Sequence, residues 1–309
     1  MTDIVIAEFM DEEAIRQHLG EFSVLYDPKL VDEPQRLHAA LLDCRALIVR
    51  NRTQVRGPLL DAAPHLQLVG RLGVGLDNID LAECTARAIR VFPATGANDL
   101  AVAEYVVCAA MLLLRRAWFA SAEVAAGEWP RMKLIGQELA AKQLGLIGFG
   151  AIARLTAAKA LALGMHVTAY DPFVAPADPA WAGVTRLELP TLLATSDVLS
   201  LHTPLTPQTH HLINAGAFAQ MKPGAILINA ARGGVLDESA LLGALRAGRL
   251  GGAAIDVFET EPLTEAAGRA WRELPNVLLT PHIAGVTMES NVRVSQVIAG
   301  TIGEALRSA

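Results

Sequence analysis

The sequence predicts an α/β protein built as two doubly wound parallel sheets, each in its own domain. Short aliphatic runs alternate with helical stretches along the chain, the rhythm of repeated βαβ units. Hydrophobic residues make up 52% of the chain and aromatic residues only 5%, so the apolar mass is aliphatic and suits strands covered by helices on both faces. At 309 residues the chain exceeds what one hydrophobic core organises, which makes two domains the expectation.

In chain order, "DIVIAEF", "SVLYD", "ALIVR" and "QLVGRLG" read as strands of a first sheet, separated by helices such as "EEAIRQHL" and "EPQRLHAALLD". "NDLAVAEYVVCAAMLLLRRA" reads as a long helix opened by an Asn/Asp cap, and its nearly all-round apolarity implies burial or a subunit contact. A second series, "KQLGLIGFG", "HVTAYD", "DVLSLHTP", "AILINAARGG", "GGAAIDVFE" and "NVLLTPHIAG", forms a second sheet. The closing "TMESNVRVSQVIAGTIGEALRS" is an amphipathic helix placed to cross back to the first domain. The expected division is therefore 1–98 with 286–309, around a continuous 99–285. Proline and glycine occur as single punctuators, without repeats or low-complexity tracts, so the hinges are short.

Composition also removes whole classes of function. Every apolar run stops short of the roughly 20 residues a spanning helix needs, so the mean hydropathy of +0.34 implies cores and no membrane segment. The start, "MTDIVIAEFMDEEA", lacks the basic lead-in of a signal peptide, and the expected compartment is the cytoplasm. Cys44, Cys84 and Cys108 are odd in number and lack C-x-x-C spacing, which points to neither disulfides nor metal. A net charge of -6 without a long basic run excludes nucleic acid as the main partner and leaves a small ligand.

"GLIGFGAIAR" sets Gly148, Gly150 and Ala153 between a strand and a helix in the dinucleotide-binding pattern. Its glycines let backbone N–H groups approach a pyrophosphate at the positive end of the helix. An acid is needed about 20 residues further on, and Asp171 stands at the end of "HVTAYD". Asp171 accepts from ribose hydroxyls and repels a 2′-phosphate; with Pro172 and Phe173 next and no arginine, NAD is expected rather than NADP.

"NAARGGVLDE" poses a sharper question, because a buried strand ends there in an arginine and two glycines where a turn needs only the glycines. Arg232, Glu261 in "DVFETEP" and His282 in "TPHIAG" each follow the C-terminal end of a successive strand, the edge at which open α/β sheets hold ligands. Arginine offers a planar fork to a carboxylate, histidine titrates near neutral pH, and a neighbouring glutamate stabilises the imidazolium. The three together suit a 2-oxo or 2-hydroxy acid.

The chain resembles the D-isomer-specific 2-hydroxyacid dehydrogenases over nearly its whole length, through "GRLGVGLDNID", "GLIGFGAIAR", "LHTPLTPQT", "MKPGAILINAARGGVLDE", "DVFETEP" and "TPHIAG". The resemblance implies a flavodoxin-like substrate domain and a Rossmann NAD-binding domain. It makes Arg232, Glu261 and His282 the catalytic set, and Asp256 the acid that holds the nicotinamide carboxamide. Gly73, Val74 and Gly75 become the backbone cradle of the substrate carboxylate, and Ala151, Ile152, Asp171, Thr203 and Ala230 become NAD contacts. It further implies a homodimer through the NAD-binding domain. Ala153 replaces a third glycine and Ala284 the glycine usual after the histidine; neither removes a functional group. Formate is disfavoured because the formate-using members pair the histidine with glutamine. The length implies no C-terminal regulatory domain.

Arg50, Asn51 and Arg52 follow the strand "ALIV" of the smaller domain and resemble the substrate loop of phosphoglycerate-type members. Consecutive residues of an extended segment point to opposite sides, so at most one of the arginines faces a ligand. One that does implies a second anion, as in 3-phosphoglycerate or (S)-sulfolactate. The competing expectations are a glyoxylate or hydroxypyruvate reductase and, from another class, a non-enzymatic NAD-sensing protein of the same fold.

Overall fold

The computed structural model describes residues 2–117 and 120–308. The chain forms two compact units, one of Met1–Asn98 with Val286–Ala309 and the other of Asp99–Gly285.

Among its described residues the first unit has five strands, β1 (Ile4–Ile6), β2 (Val24–Tyr26), β3 (Ala46–Val49), β4 (Leu68–Arg71) and β5 (Arg90–Pro93). All pairings are parallel, in the order β2-β1-β3-β4-β5. The two central strands, β1 and β3, are aliphatic and fully buried, as helices on both faces require. The direction of winding reverses between β1 and β3, and such a switch point is where open sheets place ligands. The closing helix, Met288–Arg307, packs Val294, Ile298, Ile302 and Leu306 on Ile4, Ile6, Ile48 and Leu68. Its start is fixed by a capping box between Thr287 and Ser290. Gly70 permits this contact, since a Cβ there would lie 2.6 Å from Ile298 Cγ2.

Among its described residues the second unit has seven strands, β6 (Gln143–Ile147), β7 (His166–Tyr170), β8 (Thr185–Arg186), β9 (Val198–Leu201), β10 (Ile226–Asn229), β11 (Gly252–Ile255) and β12 (Val277–Leu279). They run parallel in the order β12-β11-β10-β9-β6-β7-β8. The sequence reading missed β8, whose two exposed residues carry no pattern, and β5 of the first unit, a four-residue edge strand that ends in proline and has no buried residue. The long apolar helix spans Asp99–Arg115 and buries Val106, Ala110 and Leu113 against Ala153 and Ala157 of the helix Ala151–Ala162. Its other side leaves Leu100 and Met111 exposed. No described helix is long and apolar enough to cross a membrane.

Candidate active site

The glycine-rich turn explains itself locally. Gly148 has φ +88°, and a Cβ there would lie 2.8 Å from the His202 carbonyl oxygen. Glycine is thus needed both for conformation and for space. Gly150 faces open space and leads into the helix Ala151–Ala162, whose first turn has no side-chain cap. The N–H groups of that turn are thereby left for an anion. Ala153 is buried against the sheet, so a methyl group fits where the pattern has its third glycine. Asp171 Oδ2 accepts from Phe149 N at 2.8 Å and Oδ1 from Phe173 N at 2.8 Å, which ties the turn to the end of β7. Beside Gly148, the Thr203 hydroxyl is buried without a hydrogen-bond partner in the protein, and Ala230 follows β10 directly. An open turn, an uncapped helix and an orphan hydroxyl are what a bound dinucleotide would complete.

Beyond β10, Asn229 shapes the arginine turn, with Nδ2 donating to the Arg232 carbonyl at 2.9 Å and Oδ1 accepting from Ala231 N at 3.1 Å. The glycines beside the arginine have a steric reason: a Cβ on Gly233 would lie 2.0 Å from the Phe258 backbone, and one on Gly234 would lie 3.2 Å from Leu205. The turn therefore packs against the segment that carries Glu261. Glu261 Oε1 accepts from Phe258 N at 3.0 Å and Oε2 meets His282 Nδ1 at 2.7 Å. Burial pushes the Glu261 carboxyl up, but the bonds from His282 and Phe258 and the charges of His282 and Arg232 outweigh it. The group sits below the ordinary carboxylate value. Because a carboxylate only accepts, Nδ1 carries the proton and Nε2 is the nitrogen left for chemistry.

His282 itself has φ +56°, a conformation unfavourable for a non-glycine residue. Asp256, 1% exposed, holds it there. Its carbonyl accepts from His282 N at 2.8 Å, and its carboxylate accepts from Thr280 Oγ1 at 2.6 Å and from the N–H groups of Ile283 and Ala284, each at 2.8 Å. Arg232, Glu261 and His282 thus share one unit and one sheet edge.

The other expected ligand residues lie in the first unit. Arg50 is half-buried, with Nη1 donating to the Phe9 carbonyl at 3.2 Å, Nη2 to Asn291 Oδ1 at 2.8 Å, and its guanidinium over the Phe9 ring. Arg52 is exposed and pairs with Asp32, and Asn51 between them is exposed. Sequence reasoning missed what holds this loop. Glu8, 4% exposed just past β1, accepts from Arg50 N at 2.9 Å and Thr53 N at 3.0 Å, while Asn78 donates to the Arg50 and Thr53 carbonyls. Gly73 lies beyond β4 at φ +152°, where a Cβ would overlap the Arg71 guanidinium. Val74 is exposed and Gly75 partly so.

A model of the "D-isomer specific 2-hydroxyacid dehydrogenase, NAD binding domain" matches residues 107–284. The chain is 51% identical over 307 residues to an (S)-sulfolactate dehydrogenase of Chromohalobacter salexigens, covering 99% of each chain. It is 38% identical over 299 residues to a D-3-phosphoglycerate dehydrogenase of Archaeoglobus fulgidus, covering 97% of this chain but 56% of that longer one. In structure it is similar to a D-lactate dehydrogenase of Aquifex aeolicus complexed with NAD and lactic acid, with a TM-score of 0.86, 29% identity, and coverage of 99% of this chain and 96% of the other.

Proposed function

The chain belongs to the D-isomer-specific 2-hydroxyacid dehydrogenases, NAD-dependent oxidoreductases, and within that family we propose that it interconverts 3-sulfopyruvate and (S)-sulfolactate. The observation that carries this is the 51% identity to an (S)-sulfolactate dehydrogenase across 99% of both chains. The half-buried Arg50 at the β1/β3 switch point supports it, offering a cation where a distal sulfonate would be read. D geometry is named (S) here because the sulfur-bearing carbon outranks the carboxylate.

Bound on the Gly148–Ala153 turn, NAD supplies the hydride acceptor and, reduced, the donor. Gly150, Ala151 and Ile152 would cradle its pyrophosphate, Asp171 the ribose, and Thr203, Ala230 and Asp256 the nicotinamide end. Arg232 binds the substrate carboxylate through its fork and polarises the adjacent carbonyl. His282 Nε2 gives its proton to the carbonyl oxygen in reduction and takes it back in oxidation, while Glu261 stabilises the imidazolium between. Gly73, Val74 and Gly75 offer backbone to the carboxylate. Arg50 takes the distal anion; Arg52 stays with Asp32.

The reading includes a homodimer through the NAD-binding unit, supported by exposed Met111, Val124, Trp129, Met132 and Ile135 gathered in one stretch of it. A cytoplasmic setting fits the three free thiols. The test is NADH consumption with 3-sulfopyruvate, phosphohydroxypyruvate, hydroxypyruvate, glyoxylate and pyruvate. Sulfopyruvate should exceed pyruvate in kcat/KM by at least about tenfold, roughly 1.4 kcal/mol, and Arg50→Ala should erase that margin. Phosphohydroxypyruvate leading the panel would favour the phosphoglycerate reading that the Archaeoglobus relative supports.

A further inference from the structure

Tyr105 stands on the helix Asp99–Arg115, outside every motif that points to chemistry. Its hydroxyl lies 2.6 Å from Thr280 Oγ1, and Thr280 Oγ1 lies 2.6 Å from Asp256 Oδ1. A carboxylate only accepts, so the single threonine proton is committed to Asp256 and the phenol must donate to the threonine. Burial pushes the Tyr105 phenol up to about 12, which keeps it a donor across the working pH range.

Past Asp256 the chain of bonds reaches the backbone of His282, Ile283 and Ala284, where the histidine holds its left-handed conformation. We propose that Tyr105 and Thr280 are positioning residues for catalysis, a relay that fixes the Asp256 carboxylate and, through it, the loop that aims His282. The proposal rests on reading His282 as the proton donor. Without the threonine hydroxyl, Asp256 loses one of three donors and its carboxylate is free to turn. Its grip on the two N–H groups then loosens, and Nε2 wanders from the short range that proton transfer demands. Capture of the oxo acid is assigned to Arg232 on the loop after β10, so its binding is spared, whereas NADH, whose nicotinamide end is assigned to Asp256, is held less tightly.

The experiment measures kcat, both KM values and Tm, with NADH and the best 2-oxo acid, for Tyr105→Phe, Thr280→Val, Thr280→Ser, the Phe/Val double variant and His282→Ala. Thr280→Val should lower kcat about tenfold and Tyr105→Phe about threefold, with the oxo-acid KM within about twofold of wild type. Thr280→Ser should restore the rate, and the double variant should be no slower than Thr280→Val, because the phenol acts only through the threonine. Wild-type rates in both single variants, losses confined to KM or Tm, or penalties that multiply in the double variant would each overturn the relay. A near-normal rate in His282→Ala overturns the underlying reading instead. A dead His282→Ala beside unaffected Tyr105 and Thr280 variants removes the relay alone.

Discussion

In the NAD-binding unit Asp256, just past β11, takes the N–H groups of Ile283 and Ala284 on the loop after β12. In the smaller unit Glu8, just past β1, takes those of Arg50 and Thr53 on the loop after β3. Parallel strands deliver all their outgoing loops to one edge, where N–H groups without ladder partners need acceptors. A buried carboxylate from a neighbouring strand satisfies several at once, and their bonds offset its own desolvation. The difference lies in what each clamp carries. Asp256 fixes a loop whose histidine is also gripped by Glu261, a rigidity suited to proton transfer. Glu8 fixes a loop of two arginines whose side chains look elsewhere for partners, Asn291 and Asp32, an arrangement suited to selecting among substrates.

The largest effect is expected at Arg232. Replacing it with alanine should lower kcat/KM by at least about a thousandfold, roughly 4 kcal/mol, and leave NADH affinity by fluorescence titration nearly unchanged. Weaker NADH binding instead would move the arginine to the cofactor. Next, Asp256→Asn and Glu8→Gln remove the same kind of acceptor from the two clamps, each leaving an N–H group short of a partner at about 1–3 kcal/mol. Asp256→Asn should lower kcat by about tenfold, whereas Glu8→Gln should raise KM for sulfopyruvate and spare kcat with pyruvate. The same kinetic signature in both variants would erase the distinction between the clamps.

Asp171, which ties Phe149 to the end of β7, is a third clamp. Asp171→Ala should reduce the NAD over NADP preference by about tenfold, read from kcat/KM with each cofactor. The smallest effect concerns acid. Folding holds Glu261 below its ordinary value of 4.5, so its contribution is present above that value and fades as pH falls through the depressed one. Urea midpoints of Glu261→Gln should therefore decline less steeply on acidification than those of the wild type.

The β-strands that are continuous aliphatic runs were legible in the sequence, as were the Gly148 turn and the three strand-end residues, because each carries its signal within a few neighbours. Glu8 was not: its partners stand 42 and 45 residues away, and an acid ending "IVIAE" reads like any strand terminus. Tyr105 and Thr280 are 175 residues apart, and the tyrosine sits on a helix whose apolar pattern hides it. The sequence allowed at most one inward arginine in "VRNRT". It could not show that Asp32 captures Arg52 from a short turn of helix that no spacing rule connects to it.

The helix Met288–Arg307 closes the core of the first unit although the second unit intervenes in the chain. During synthesis the second unit is contiguous and can fold once β12 has emerged. The first unit must wait while about 190 intervening residues are added, roughly 10–40 s at ribosomal speeds of 5–20 residues per second. Over that interval Ile4, Ile6, Ile48 and Leu68 lack their cover, and the site at β1 and β3 lacks Asn291. On the proposed roles, cofactor binding by the nascent chain should thus precede substrate selection, and a stalled ribosome would hold a chain that grips NADH with nothing to reduce.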